Sequence, residues 1–574
     1  MCVNFCDGCC IGVWCFLFNL QEIIILIFLT MGTRLSAGYG VVIAGIFMGL
    51  GGVGVPEAAG ANPYLPLWEY IPDGEPHVFD DPDNPGRERV YIYGSHDSCV
   101  TDFCGREFVV WSAPVDSLDR WRYDGVIFSA VTDRDGNRLN DDGLGDILYA
   151  PDVAVVRDEA GVPTYYLYPN NQHEGRQGMI ARSARPDGPF EVCNWSKDDP
   201  KRTDGVLRFD PAVLVDDDGR VYGYWGFEES FMAELDPTTM CTVKPGTEVK
   251  VRAVPGFSQA DRERFFEASS IRKIDDKYVF VYSRSTADGD FGLGSSNYTL
   301  AYAYSDNPLG PWTYGGTIID GRGRTVLPDG RVIYTAHPNG NTHGGLCRLG
   351  DQWYIFYHRQ CGLDEFSRQA MVAPVEVTVE KGKGGAVHIS EAEYTSEGFE
   401  INGLNPLRTY PAGIACHYTG KSPAVETGWP HKRFYGAYIK PGRYDGDPAA
   451  APEEVNLTVN PLVNLTDGSV TGYKYFNFDL MDGSKPAEFV MAMKPTGAAG
   501  AIEVLAGDIY GEPVALGRIE LSGAECAVAE YAVQELRVPV GNLERLSGKM
   551  PLWLRVSAEG EASVGEVYYF RFEQ

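Results

Sequence analysis

One short pattern recurs five times along this chain, and an internal repeat restricts the possible folds more than any other feature of a sequence. A turn rich in Asp or Gly is followed by alternating aromatic and aliphatic residues. The copies are Arg89-Val90-Tyr91-Ile92-Tyr93, Thr164-Tyr165-Tyr166-Leu167-Tyr168, Arg220-Val221-Tyr222-Gly223-Tyr224-Trp225, Lys277-Tyr278-Val279-Phe280-Val281-Tyr282 and Gln352-Trp353-Tyr354-Ile355-Phe356-Tyr357. Each has the period of two expected of a half-buried strand. A second element follows several copies at a similar offset: Trp111-Ser112-Ala113-Pro114 ending at Trp121, Ala181-Arg182-Ser183 ending at Gly188-Pro189-Phe190, and Ala303-Tyr304-Ser305 ending at Gly310-Pro311-Trp312. Repeats of about 55–75 residues, each with several short strands, suit propeller blades; without a strict short period they do not suit a β-solenoid. No long segment of 3.6-residue period follows residue 60, which disfavours helical folds. The expected fold is all-β: a five-bladed β-propeller followed by a β-sandwich of the jelly-roll kind.

With 574 residues the chain is too long for one ordinary domain. The propeller is expected over 62–397, a Pro/Gly-rich connection over 398–450 and the sandwich over 451–574. Tyr473-Lys474-Tyr475-Phe476, Trp553-Leu554-Arg555-Val556 and the terminal Val567-Tyr568-Tyr569-Phe570-Arg571-Phe572 read as sandwich strands. Residues 1–61 differ from the rest, with apolar stretches over Ile11–Thr30 and Tyr39–Val55 on either side of Arg34. From Met31 the pattern is that of a signal peptide, while the first stretch approaches the length of a bilayer span. An upstream start that is not made at all is the third reading. The protein is secreted or membrane-anchored if the segment is real and cytoplasmic otherwise, and a membrane would be met only through that segment.

A formal net charge of −30 argues against nucleic acid as a partner, because a polyanion would be repelled. It is compatible with a neutral substrate. Five of the 13 cysteines (Cys2, Cys6, Cys9, Cys10 and Cys15) crowd the N-terminus, and the other eight are dispersed with no zinc spacing. Cys99 and Cys104 are near enough in sequence to bridge, although buried thiols are the expected state of most of the eight.

In an acidic chain, position has to select the carboxylates that matter. Asp73, in Ile71-Pro72-Asp73-Gly74-Glu75, Asp152, in Ala150-Pro151-Asp152-Val153, and Glu267, in Phe265-Phe266-Glu267-Ala268, each come shortly before a repeat of the strand signature. The inner strands of a propeller converge on its axis, so equivalent positions of different blades meet at one pocket. Glycoside hydrolysis requires carboxyl groups in such an arrangement, one to protonate the leaving oxygen and another to activate water or attack carbon. Asp210-Pro211 opens the third repeat in the equivalent position and is a further residue aimed at the axis. Trp225 is either a platform under a sugar or part of the core. His96 and Asp97 either line the rim of the pocket or stabilise a turn, and Arg359 either reaches a sugar hydroxyl or forms an internal salt bridge.

These motifs resemble glycoside hydrolase family 43, which contains arabinofuranosidases, xylosidases and arabinanases. The resemblance covers about 62–398 and rests on Asn62-Pro63 followed by Asp73, on Ala150-Pro151-Asp152, on Phe266-Glu267-Ala268, and on Asn341-Thr342-His343-Gly344-Gly345 leading into Trp353–Arg359. It implies Asp73 as general base, Glu267 as general acid and Asp152 as the residue that tunes the acid, with inversion at the anomeric carbon. The family pattern after the first Asp is Pro-Ser, whereas this chain has Gly74-Glu75-Pro76, so Glu75 is a rival base. No cofactor is required, and a structural calcium near His343 on the axis is implied alongside the alternative of a hydrogen-bonded histidine closing the last blade. The C-terminal region resembles a family 6 carbohydrate-binding module, through Asp467-Gly468-Ser469 and Gly500-Ala501-Ile502-Glu503-Val504, or else is a sandwich without sugar affinity. The implied activity is release of L-arabinofuranose or D-xylose from hemicellulose-type polysaccharides or oligosaccharides. The alternatives are a glycan-binding propeller without catalysis and a related retaining fructan hydrolase.

Overall fold

The structure, a computed structural model, describes residues 60–98, 101–254, 264–521 and 532–574. The expectations for residues 1–59, including their five cysteines, and those for Cys99 and Cys526 lie outside the described residues. The described residues form an all-β protein in which only short 3₁₀ turns interrupt the strands. No helix among them is long and apolar enough to cross a membrane.

Five antiparallel sheets follow one another along the chain. The first holds Glu75–Asp80, Glu88–Tyr93, Glu107–Pro114 and Arg122–Ser129; the second Asp152–Arg157, Pro163–Tyr168, Ala181–Ser183 and Glu191–Val192. The third holds Ala212–Val215, Val221–Trp225, Phe231–Leu235 and Lys250–Val251, and the fourth Phe265–Ile274, Lys277–Arg284, Thr299–Ser305 and Thr313–Asp320. The fifth has three strands, Leu346–Leu349, Gln352–Gln360 and Arg368–Val375. Strand order equals chain order in every sheet, as tight turns between antiparallel neighbours require. The recurring aromatic signature is the second strand of each sheet, not the innermost one. Its side chains are buried on both faces because a sheet lies on either side of it, which explains why Tyr and Phe stand at consecutive positions.

The apolar cores lie between successive sheets. Tyr91 and Phe108 of the first sheet meet Tyr165 and Leu167 of the second; Tyr168 meets Val213 and Leu235 of the third; Tyr224 meets Phe280 of the fourth. Val279 of the fourth sheet shares a core with Ile355 and Met371 of the fifth, and Phe356 and Val372 return to Val90 and Ile92 of the first. Polar contacts close the same circuit. Asn62 brackets Val372 of the last strand, its amide donating to the Val372 carbonyl at 2.7 Å and its carbonyl accepting from the Val372 N–H at 3.0 Å. Arg272 of the fourth sheet donates to the carbonyls of Leu346 (2.7 Å) and Pro76 (2.8 Å), so one guanidinium ties three sheets together.

Two further sheets are built from the C-terminal part. One contains Val470–Asn477, Lys549–Ala558, Gly500–Ala506 and Val514–Leu521, with His417–Thr419 at its edge. The other is centred on Gly565–Glu573 and Glu488–Pro495. Alternation sends Ile502, Leu554, Met491 and Phe570 into a shared core. The segment joining these sheets to the first five is held tightly. Arg359 donates to the carbonyl of Ala415 at 2.8 Å and to that of Gly413, and the Tyr70 hydroxyl donates to the carbonyl of Gly442 at 2.6 Å.

Candidate active site

Asp73 and Asp210 each stand two residues before the first strand of a sheet, and Glu267 is the third residue of another such strand, Phe265–Ile274. All three places depart from regular backbone. Asp73 (φ 59°) and Asp210 (φ 42°) adopt the left-handed conformation that Asp tolerates better than most residues, and so does Ala268 (φ 68°) beside Glu267. The register between Phe265–Ile274 and Lys277–Arg284 shifts between Glu267 and Ser270, a bulge that re-aims the Glu267 side chain. Strained backbone of this kind is retained where the surrounding structure over-determines it, commonly at functional sites.

The three carboxylates line one cavity of about 190 Å³, together with His343, Arg368, Asn341, Gln172, Tyr149, Ala150, Cys104, Phe103 and Phe209. That is smaller than the roughly 300–1,000 Å³ of sites for drug-sized ligands and suits a single monosaccharide ring. Asp73 accepts from the Ser95 hydroxyl and pairs with Arg368 Nη1 at 3.2 Å. Its backbone N–H donates to His358 Nδ1 at 3.1 Å, and the other ring nitrogen meets the Asn341 carbonyl at 2.9 Å. Arg368 also binds Asp97 through Nε (2.9 Å) and Nη2 (2.8 Å), which fixes its orientation. Burial alone would raise the Asp73 pKa, but Arg368, foremost among several favourable contacts of which the Ser95 hydroxyl is a smaller one, outweighs it and holds the carboxyl below the ordinary aspartate value. Burial pulls His358 down to about 3, so it is a neutral hydrogen-bonding partner.

Glu267 behaves in the opposite way. Burial, and then the charges of Asp210 and Asp73, push its pKa well above the ordinary glutamate value. Asp210 is also raised, chiefly by burial. It accepts from Asn170 Nδ2 at 2.7 Å and from the Ala268 N–H at 2.9 Å, two bonds that favour its ionised form. A proton held between these two carboxyls therefore belongs on Glu267.

The other expected site residues lie elsewhere. Asp152 is the first residue of its strand, is 2% exposed and is absent from the lining of the cavity. It accepts from the N–H groups of Val153 and Val213 (2.7 Å each) and pairs with His77 Nε2 at 2.7 Å, which staples the second sheet to the third. Glu75, the rival base, is 1% exposed and lies away from the cavity, bound to Arg272 at 2.6 Å and to Ser270 at 3.0 Å. Trp225 is a core residue stacked on Phe231 at 5.8 Å, because it ends the doubly covered second strand of its sheet. Arg359 is fully buried in the strand Gln352–Gln360, bonded to the connecting segment, and does not line the cavity. His96 pairs with Glu69 at 3.1 Å in a different pocket beside Tyr444. Cys104 is a buried free thiol.

His343 does line the cavity, and its buried Nδ1 lies 3.7 Å from Asp210 Oδ2 without a hydrogen-bond partner. Calcium takes six to eight oxygen ligands, so one imidazole nitrogen and one carboxylate do not by themselves fit it. Glu75, His77 and Asp152 approach one another closely enough to share an ion, but the Arg272 and backbone N–H bonds described above already engage these carboxylates. Arg368 carries no signal in the sequence patterns, and Asn341 figures there only as part of the Asn341–Gly345 motif. Asp210 stands as far ahead of its strand as Asp73 does, which is the sequence signal that it belongs with the residues of this cavity.

Carboxyl groups driven to opposite protonation states around a pocket the size of one sugar ring define a glycosidase type of site. Residues 80–381 match the glycosyl hydrolases family 43. The chain is 34% identical over 445 residues to the xylosidase/arabinosidase of Thermoclostridium stercorarium, covering 72% of this chain and 82% of that protein. It is 28% identical over 336 residues to xylosidase/arabinosidase 43A of Humicola insolens, covering 50% and 88% respectively. A crystal structure of a family 43 arabinoxylan arabinofuranohydrolase from Bacillus subtilis, in complex with cellotetraose, superposes with a TM-score of 0.41 at 19% identity, covering 89% of this chain and 97% of that one. This chain belongs to glycoside hydrolase family 43 and is a glycosidase.

Proposed function

We propose that the protein is an inverting glycosidase that releases L-arabinofuranose or D-xylose from hemicellulose-type polysaccharides or oligosaccharides. The observation that carries this reading is the single-ring cavity with Asp73 held ionised and Glu267 held protonated. Asp73 takes a proton from water as that water attacks the anomeric carbon, and Glu267 gives its proton to the departing oxygen. Asp210, rather than Asp152, is the residue that keeps the acid protonated, since its charge faces Glu267. Arg368 positions Asp73. The five sheets are read as the blades of a five-bladed propeller over 62–397, with the pocket at its axis, and the two C-terminal sheets as a β-sandwich of the carbohydrate-binding-module kind over 451–574. No step requires a cofactor or a metal.

Proton NMR of the first-formed product from an aryl xyloside and an aryl arabinofuranoside tests the reading. Inverted configuration is expected, and a retained anomer would remove Asp73 from the role of base. The two rival modulators separate by pH profile. Asp210→Asn should move the alkaline limb of kcat/KM to lower pH, because losing that negative charge lets Glu267 ionise earlier. Asp152→Asn should leave the limb in place. Asp152→Ala should instead lower stability by about 1–3 kcal/mol for each buried N–H left unpaired, measured by denaturant unfolding. If Asp152→Asn moved the limb and Asp210→Asn did not, the roles would be the reverse.

A further inference from the structure

We propose that Trp429 is an outer sugar-binding platform, contributed by the connecting segment, that stacks on a ring of the leaving-group portion of the substrate. The proposal rests on the glycosidase reading above and extends it to the substrate beyond the cleaved bond. Val425–Gly428 and His431–Arg433 form a two-stranded hairpin with Trp429 and Pro430 at its tip. The Trp429 side chain is 64% exposed, which is unusual for so large an apolar group, and an exposed indole more often marks a contact surface than a structural one.

The hairpin is also fixed firmly in place. The buried Lys432 ammonium pairs with Glu365 at 2.6 Å and Glu426 at 3.2 Å, and the Lys432 N–H donates to the Leu363 carbonyl at 2.7 Å. The indole N–H itself donates to Glu365 Oε2 at 3.3 Å. Burying an ammonium carries a desolvation cost, and here it anchors a hairpin whose tip covers little of the protein. The anchoring loop, Cys361–Ser367, runs directly into Arg368 of the active site.

The placement is continuous with the cavity. The Trp429 ring lies 6.1 Å from that of Phe103, which packs edge-on to Phe366 at 4.9 Å and lies under the Arg368 guanidinium at 4.9 Å. Phe103 lines the same cavity as Asp73 and Glu267. The cavity accommodates one ring, the sugar to be released, so a ring resting on Trp429 belongs to the part that departs. Pyranose rings present a C–H face that an indole can cover and hydroxyl edges that the neighbouring carboxylates can accept from. A purely structural Trp429 would have its face against Phe103 and be shielded from water, which its exposure contradicts.

Steady-state kinetics of Trp429→Ala and Trp429→Phe decide the matter, with methyl glycosides of xylose and arabinofuranose compared with xylotriose and arabinofuranosyl-xylotriose. For Trp429→Ala the oligosaccharide KM should rise about tenfold, the equivalent of ~1.4 kcal/mol, with kcat unchanged. Methyl glycoside kinetics should not change, and Trp429→Phe should recover most of the oligosaccharide KM. Equal losses on both substrate lengths, or no loss on either, would overturn the proposal. A wild-type protein that released sugar from neither would strike down the substrate reading and this proposal with it.

Discussion

Glu267→Gln is expected to reduce kcat by roughly 10²–10⁴-fold on oligosaccharides, the usual worth of a general acid. The loss should shrink sharply on aryl glycosides with good leaving groups, because such groups depart without a proton. The amide has no titrating carboxyl, so the alkaline limb of the pH profile should vanish in the variant. In the wild type that limb is the ionisation of Glu267. Burial and the charges of Asp210 and Asp73 hold its pKa up, so activity should persist above the pH at which an ordinary glutamate would be fully ionised, and fall as pH rises further. Thermal unfolding should show no loss of stability, because the substitution removes a carboxyl that its neighbours oppose. A uniform loss on all leaving groups would mean that Glu267 does something other than donate a proton.

Asp73→Asn should be equally severe, roughly 10²–10⁴-fold in kcat, but without dependence on the leaving group. The base acts on water, and its absence is felt whatever departs. Arg368 and Ser95 keep Asp73 ionised below the ordinary aspartate pKa, so the acid limb of wild-type kcat/KM should lie low, with activity lost only as pH falls through that depressed value. Kinetics on substrates of graded leaving-group ability, run in parallel for the two variants, distinguish acid from base. If Asp73→Asn showed the leaving-group dependence instead, the two roles would have to be exchanged.

Much of the fold was legible in advance. The five aromatic signatures correctly marked five sheets, and the terminal alternation from Val567 to Phe572 marked a strand at the centre of a C-terminal sheet. Of the site, the meeting of Asp73 and Glu267 at one cavity was legible, while Glu75 lies away from that cavity in an ion pair with Arg272. Asp152 was chosen for lying just ahead of a signature, a criterion too coarse by two residues. A side chain in a strand alternates between faces, and the residue that begins a strand does not point where the residue two places earlier points. Asp152 begins its strand and caps backbone N–H groups between sheets, whereas Asp73 and Asp210 sit ahead of theirs in left-handed backbone and turn into the cavity. Trp225 and Arg359 lie off the cavity for a related reason, since composition does not reveal which face of a strand a neighbouring sheet will cover, and His96, in the loop after its strand, pairs with Glu69.

By itself the sequence determined the repeat, the all-β class and the two carboxyls whose backbone context is most distinctive, because these depend on local pattern and on short-range turn chemistry. Only the tertiary structure decided that Asp210 faces Glu267, that Arg368 reaches across to Asp73, and that Trp429 stands beside Phe103. Asp73 and Arg368 are 295 residues apart along the chain, and their pairing arises only when the last sheet closes on the first. The charge states follow from the same closure. A carboxyl takes its pKa from burial and from neighbours a few ångströms away, and for this site those neighbours come from different sheets.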